Sequence, residues 1–158
     1  KAIKNDEYII GRNSCITLSM QKVYVDNVSQ SSDQYLNGLF VDGILIGSAG
    51  VQISSGKGEL ELAEAAMGIL IFGEENRGRG YGKVLVWAGT YLMSLVEKIL
   101  VFQAGIASSN ERSMRTFKSC GFQVARSTTG GVMMELRIRD LKRPEMVSQV
   151  LLESESDY

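Results

Sequence analysis

A glycine-rich stretch flanked by cations is the feature of this sequence that most clearly suggests chemistry. Residues 77–83 read Arg-Gly-Arg-Gly-Tyr-Gly-Lys and follow an apolar run, Ile69–Phe72, that is typical of a strand. Glycines let the backbone approach a ligand closely, and the free N–H groups at the start of a helix attract anions. Since Arg77, Arg79 and Lys83 add positive charge, the stretch predicts a diphosphate-binding turn between a strand and a helix.

Two familiar nucleotide-binding templates do not fit this stretch. A Walker loop would need a glycine at position 77 and a Ser or Thr at position 84, where the chain has Arg77 and Val84. A dinucleotide fingerprint fits Gly78 and Gly80 but fails at Lys83. A solvated turn without a ligand is the remaining structural alternative.

A third template does fit, and a second motif follows it downstream. Residues Arg77–Gly82 match the signature Arg/Gln-x-x-Gly-x-Gly/Ala, and Asn110–Phe122 matches Asn-x-x-Ser/Ala-x-x-x-Tyr-x-x-x-Gly-Phe, with Phe117 in place of the tyrosine. With both motifs in this order, residues 16–138 resemble the GNAT superfamily of acyl-CoA N-acyltransferases. The segment Leu39–Gly47 also resembles the branch that modifies ribosomal-protein N-termini or amino-sugars.

The resemblance implies a set of residues that bind the co-substrate, acetyl-CoA. The end of the strand would hydrogen-bond the pantetheine arm, and the N–H groups of the loop would hold the pyrophosphate. Asn110 would contact the pantetheine as well as cap a helix, although a plain helix cap is the alternative. The predicted cofactor-binding residues are Leu70, Ile71, Phe72, Arg77, Gly78, Arg79, Gly80, Tyr81, Gly82, Lys83, Asn110 and Phe117.

The predicted reaction is direct attack of a primary amine on the acetyl thioester, which requires a base and a polarised carbonyl. The chain contains no histidine, so a carboxylate is the leading base. Relatives often carry one two residues before the position of Gly68, where this chain has Ala66. Glu64 is two residues before Ala66, so it points to the same face of the strand and is the predicted base. Glu61 points to the opposite face. The alternative is that Glu64 is a surface carboxylate without a catalytic role. A backbone N–H near Leu70 would polarise the carbonyl.

The leaving thiolate also needs a proton, and Phe117 cannot supply one. Ser113 is therefore predicted to take part in catalysis, with Tyr81 or a water molecule as alternatives. Two other tyrosines, Tyr24 and Tyr35, either line the acceptor side or belong to the core.

Composition excludes several other classes of protein. The 158 residues carry a net charge of −1, which gives no general attraction to nucleic acid or to an anionic membrane. Cys15 and Cys120 match no zinc spacing, so we expect no metal and two reduced thiols in a cytoplasmic protein. No apolar run is long enough for a membrane span, and the first residues lack the apolar core of a signal peptide.

Hydrophobic periodicity predicts one α+β domain over residues 1–158, with its core at about 16–138. Residues 140–158 are predicted to form a peripheral tail, with a short helix that starts at 145. We expect a GNAT-like, mostly antiparallel sheet with a splayed strand pair, flanked by helices. Residues 1–16 show no convincing strand, so the first strand of the family is missing or replaced. The predicted helices are 18–30 (burying Met20, Val23, Tyr24 and Val28), Tyr81–Lys98 (burying Val84, Leu85, Ala88, Tyr91, Leu92 and Leu95) and Glu111–Ser119. The predicted strands are Tyr35–Val41, Ile44–Ile53, Glu59–Phe72, Leu100–Ile106, Phe122–Arg126 and Val132–Ile138.

The function expected from the sequence is acetyl-CoA-dependent N-acetylation of a small, amino-sugar-like molecule. Two alternatives stay open: an N-terminal protein acetyltransferase that accepts a peptide N-terminus, and a CoA-binding module without catalysis. The acceptor, the acyl length and a homodimer are also open at this stage.

Overall fold

The computed structural model describes residues 18–54 and 63–150. In chain order the elements are α1 (Leu18–Ser29), β1 (Gln34–Val41), β2 (Ile44–Ser54), β3 (Glu64–Ile71), α2 (Tyr81–Val96), β4 (Val101–Ala107), α3 (Glu111–Ser119), β5 (Gln123–Thr128) and β6 (Gly131–Arg137). Two short 3₁₀ turns follow β3 and β6, at Glu74–Asn76 and Ile138–Asp140.

The strands form one sheet in the order β1-β2-β3-β4-β6-β5, and every neighbouring pair is antiparallel except β3 and β4. This arrangement confirms the predicted fold class. The expected start of the third strand at Glu59 and the question of a strand within residues 1–16 lie outside the described residues. The helix predicted from residue 145 is wrong over 145–150, where the chain forms a turn at 145–146 and then has no regular secondary structure.

The central pair of strands separates after a short contact, as the prediction of a splayed pair expected. β3 and β4 pair only where Glu64–Ala66 lies beside Val101–Gln103. Beyond that point β3 stays paired with β2 as far as Ile71, while β4 stays paired with β6 as far as Ala107. A gap therefore opens between β3 and β4 toward their carboxyl ends.

Helix α2 packs across one face of the sheet, and the predicted apolar side is only partly the buried one. Leu85 is buried and Ala88, Tyr91 and Leu92 pack against the core, as predicted, whereas Leu95 is 38% exposed. The other buried residues of the helix are Val86, Trp87, Gly89, Thr90 and Met93. A Cβ placed on Gly89 would lie 3.3 Å from the Cβ of Ala49 on β2. The close approach of these two small residues determines which side of α2 faces the sheet. The distribution of large apolar residues along the helix could not indicate this.

Helix α1 lies on the opposite face and is less buried than predicted. Val28 is buried, but Val23 and Tyr24 are 58% and 45% exposed, so their predicted burial is wrong. The side chain of Met20 lies outside the described part of the chain. Within the described residues α1 packs chiefly against β1, and a single edge strand cannot cover a whole helix face.

Two glycines in the sheet have different roles. A Cβ on Gly47 would lie 2.7 Å from the carbonyl oxygen of Leu70 and 2.9 Å from Leu85, so the backbone of β3 approaches too closely for a side chain there. Gly68 marks no bulge, because the register of β2 and β3 continues unbroken through the Gly50–Gly68 pair. No atom of the described residues lies within 4 Å of a Cβ placed on Gly68.

These environments predict opposite effects of the same substitution. Gly47→Ala should lower the free energy of unfolding by about 1–3 kcal/mol, because the new methyl group meets backbone that cannot move freely. Gly68→Ala should leave stability unchanged or raise it by up to about 1 kcal/mol, because glycine is unfavourable inside a strand. Urea denaturation measures both, and equal destabilisation by the two variants would contradict the packing described for Gly47.

Candidate active site

The gap between β3 and β4 exposes one edge of β3. The carbonyl oxygen of Ala63 accepts hydrogen bonds from Leu100 N–H and Val101 N–H at 3.0 and 3.3 Å, so this residue faces β4. At the other end of the strand, Phe72 N–H donates to the carbonyl oxygen of Ile46 in β2 at 2.8 Å. Backbone groups alternate along a strand, so odd-numbered residues of β3 face β4 and even-numbered residues face β2.

The N–H of Met67 still pairs with the carbonyl oxygen of Gln103, because Ala66 lies beside Gln103 at the last step of the ladder. The N–H and C=O groups of Ile69 and Ile71 point into the gap, where no described strand pairs with them. Within the segment predicted to contact pantetheine, Ile71 faces the gap, while the N–H groups of Leu70 and Phe72 point toward β2. The N–H suited to polarising a carbonyl in the gap is therefore that of Ile69, and not that of Leu70. The pantetheine contact itself stays a prediction.

The glycine-rich loop lies at the open end of this gap. Gly78 and Gly80 have φ values of 75° and 86°, a region that favours glycine, and Gly80 is the N-terminal cap of α2. No side chain caps this helix. The first N–H of α2 that donates to the carbonyl oxygen of Gly80 is that of Lys83, at 3.0 Å. The N–H groups of Tyr81 and Gly82 come before it, so they are available to an anion.

The cations around the loop are available to a ligand. In the described part of the chain the ion pairs join Arg115 to Glu111 and Arg139 to Asp140, so Arg77, Arg79 and Lys83 have no carboxylate partner there. Arg79 and Lys83 are exposed and Arg77 is half-buried. The loop thus combines unsatisfied N–H donors with free positive charge.

The start of α3 lies beside the start of α2. The Asn110 side-chain oxygen accepts a hydrogen bond from Ser113 N–H at 3.1 Å, so Asn110 caps α3. A methyl carbon of Thr116 lies 3.3 Å from the position of a Cβ on Gly82. Because α3 follows β4, the two helix N-termini flank the open end of the gap, and Ser113 lies in the first turn of α3, half-buried.

Phe117, predicted to bind the cofactor, belongs to the core. Its side chain is 2% exposed and packs edge to face against Phe122, with the ring centres 4.9 Å apart. The neighbouring Cys120 is also buried, and its thiol lies 3.5 Å from the carbonyl oxygen of Lys83. Burial raises the pKa of this thiol, while the Ser119 hydroxyl and the Lys83 charge act in the opposite direction. Cys120 therefore joins the two helices as a small apolar group.

Glu64 and Tyr24 lie on the face of the sheet away from α2. Directly paired strand residues share a face, and Gly50, which pairs with Gly68, would place a Cβ 3.5 Å from the Tyr24 hydroxyl. Glu64 has the parity of Gly68 and is half-buried. Tyr35 lies on the α2 face, where its hydroxyl donates to Glu97, and this hydrogen bond raises the pKa of Tyr35. Of the two tyrosines, only Tyr24 is on the face where an acceptor could approach.

Sequence reasoning missed two further polar residues on this face. Ala66 pairs with Gln103, and Gln103 pairs with Glu135 of β6, so all three share the face of Glu64. With strands about 4.8 Å apart and a rise of about 3.3 Å per residue, the Cα atoms of Glu64 and Glu135 are roughly 12 Å apart. Only the strand order reveals this, because 71 positions separate the two carboxylates in the chain.

Two negative findings accompany this geometry. Among residues 18–54 and 63–150, no three His, Cys, Asp or Glu side chains come together as a metal site would require. No helix in the same ranges has the length and apolar character needed to span a membrane.

Comparison with known proteins gives a family match for the middle of the chain. Residues 57–129 match the family described as FR47-like protein, a segment that includes β3, the glycine-rich loop and the whole Asn110–Phe122 motif. No curated protein matches the sequence.

Solved structures match the fold over most of the chain. The aminoglycoside acetyltransferase AAC(6')-Ib, in complex with coenzyme A and kanamycin, has a TM-score of 0.69 at 23% identity, covering 85% of this chain and 83% of that one. An acetyltransferase of the GNAT family from Streptococcus pneumoniae has 0.64 at 13% identity, covering 85% of each chain. RimJ from Mycobacterium smegmatis, in complex with CoA-disulfide, has 0.66 at 12% identity, covering 79% and 64%.

The fold is that of these acetyltransferases, and the family match covers residues 57–129, so both findings agree with the resemblance to the GNAT superfamily of acyl-CoA N-acyltransferases found in the sequence. Acetyl-CoA as co-substrate agrees with the neighbours that are described with CoA, and the loop, the exposed strand edge and the paired helix N-termini are a suitable set of donors for it.

The two roles of Asn110, cap and ligand contact, can be separated by substitution. Asn110→Ala should lower the free energy of unfolding by about 1 kcal/mol, because the cap of α3 is lost. Asn110→Ser keeps a capping oxygen and should lose little stability. If the amide also contacts pantetheine, both variants should bind CoA several-fold more weakly in calorimetric titration. Full CoA affinity in Asn110→Ser would leave Asn110 with the capping role alone.

Proposed function

We propose that this protein transfers the acetyl group of acetyl-CoA to a primary amine of a small, polar, amino-sugar-like molecule. The observation that carries the proposal is the incomplete pairing of β3 and β4, which leaves the backbone groups of Ile69 and Ile71 without strand partners among the described residues. A ligand with amide groups along its length satisfies such an edge, as an added strand would. The loop at the open end of the same gap suits the diphosphate to which that ligand is joined.

The acetyl group would then lie at the closed end of the gap. From Phe72 to Ala66 the strand covers about 20 Å, enough for an extended pantetheine arm. The thioester carbonyl comes beside Ile69, whose N–H group faces the gap and can stabilise the negative charge that develops on the oxygen. Tyr81 and Ser113 are at the open end, so a water molecule is the better proton donor to the leaving thiolate.

The chemical step joins the amine nitrogen to the carbonyl carbon and breaks the C–S bond. The attacking amine must be neutral, and it loses a proton as the amide forms. Glu64 takes this proton through a water molecule, since its Cα is two residues from Ala66, where the gap closes. The thiolate of CoA receives a proton and leaves as the free thiol.

The two carboxylates of the acceptor face favour a small molecule with more than one amine. Glu64 and Glu135 share the face that an acceptor must approach, with Gln103 between them and the exposed Arg137 on the same face. Two ammonium groups on one acceptor can each face a carboxylate across roughly 12 Å of sheet. AAC(6')-Ib, one of the structural neighbours, is described with aminoglycosides, which agrees with this class of acceptor.

A panel of amines tests the proposal. Release of free thiol from acetyl-CoA is measured with kanamycin and glucosamine, and with tripeptides that have a free N-terminus. We expect release with the amino-sugars and little with the peptides. Release with peptides alone would favour the N-terminal protein acetyltransferase, and CoA binding without release by any amine would favour a non-catalytic module.

Substitution of the proposed base tests the chemical step. Glu64→Gln should lower kcat by about a hundredfold, the lower range for loss of a general base, with little change in the Kd of acetyl-CoA. Asp42→Asn is the matched control, because Asp42 lies in the β1–β2 turn with a φ of 49° that Asn tolerates. Unchanged turnover in Glu64→Gln, or an equal loss in both variants, would remove Glu64 from the mechanism.

A further inference from the structure

The chain beyond β6 returns to the glycine-rich loop. We refer to residues 142–147 as the tail segment. Lys142 N–H donates to the carbonyl oxygen of Cys120 at 3.0 Å, and the thiol of Cys120 lies 3.5 Å from the carbonyl oxygen of Lys83 in α2. At its other end, the sulfur of Met146 lies 3.0 Å from the position of a Cβ on Gly80. The tail segment therefore runs beside the first turn of α2.

The first turn of α2 thus has two different neighbours. On the side of Gly82 lie Ile69 and Thr116, at the open end of the gap, while on the side of Gly80 lies Met146. Consider a CoA molecule with its pantetheine in the gap and its pyrophosphate on the N-terminus of α2. Its ADP end would then lie on the side of Gly80, which the tail segment borders.

The tail segment brings cations that have no partner in the described part of the chain. Lys142 and Arg143 are exposed, and neither belongs to the ion pairs found among these residues. Glu145 is the one carboxylate of the segment. Arg143 borders a separate cavity of about 630 Å³ together with Trp87 and Tyr91, so its direction differs from that of the loop. The backbone N–H of Lys142 is hydrogen-bonded to Cys120, and Cys120 in turn contacts Lys83.

We propose that Lys142, together with Lys83 in the first turn of α2, binds the 3′-phosphate at the ADP end of CoA. The inference rests on the proposed function, in which the loop N–H groups hold the pyrophosphate. Those donors are then occupied, so the second phosphate group must be neutralised by side-chain cations. Met146 has a positioning role, because its contact with Gly80 keeps the tail segment against the loop.

Dephospho-CoA provides the test, because it differs from CoA only by the 3′-phosphate. Dissociation constants for both ligands are measured by calorimetric titration in the wild-type chain and in Lys142→Gln. We expect wild type to bind CoA about tenfold more tightly than dephospho-CoA, the effect of one charge-assisted contact. In Lys142→Gln the CoA affinity should fall about fivefold or more, and the dephospho-CoA affinity should stay within about twofold.

Arg139→Gln is the matched control. Arg139 is also an exposed cation after β6, but it pairs with Asp140 at 3.8 Å and is not part of the tail segment. It should leave the preference for CoA unchanged. Equal weakening of both ligands by Lys142→Gln, an equal effect of Arg139→Gln, or no wild-type preference between the ligands would each overturn the inference. Failure of wild type to bind either ligand would instead contradict the proposed function.

Measuring both dissociation constants at increasing salt concentration is a second, independent test. The contact between Lys142 and a phosphate dianion is exposed, so salt should screen it. The wild-type preference for CoA should shrink as salt rises, whereas Lys142→Gln should show little preference to lose. A preference that does not change with salt would contradict recognition through this exposed lysine.

Discussion

The rest of the site depends on one constraint: two parallel strands that pair for three residues and then separate. A strand edge without partners is costly when buried, because each free N–H and C=O group must find a hydrogen bond elsewhere. Here the opposite edges of β3 and β4 remain fully paired with β2 and β6. The sheet therefore holds the two strands apart rigidly, and the open edges of the gap face a space that a ligand with amide groups can fill.

Both helices that border the gap begin at its open end because each follows one of the two parallel strands. Their N-termini concentrate positive partial charge at this end, so an anionic group is stabilised where the gap opens. The face carrying Glu64 and Glu135 also carries Arg137, which pairs with Val101 and so lies in line with Glu64. Charges of both signs therefore meet where the gap closes.

The fold, the glycine-rich loop and the Asn110 cap followed from local sequence, whereas the face that carries Glu64 and Glu135 did not. The loop and the Asn110 cap are set by residues close together in the chain, so spacing alone could identify them. The choice of Ile69 over Leu70 depends on which neighbour each strand residue faces, and the proximity of Glu64 to Glu135 depends on strand order. The burial of α1 and α2 was predicted incorrectly where close packing of small residues, or the lack of a second neighbour, outweighed hydrophobic periodicity. Met146 could not have been found, because no local pattern indicates where a chain returns after its last strand.

The exposure of α1 has a consequence for how such a protein changes over evolution. The predicted CoA half is built into the sheet and into α2 and α3, but α1, with Val23 and Tyr24 exposed, packs chiefly against β1 among the described residues. Substitutions on α1 disturb few core contacts, so they carry little risk to the fold. The surface facing the acceptor can therefore diversify while the donor half stays constant, and a new amine specificity can arise without rebuilding the chemistry.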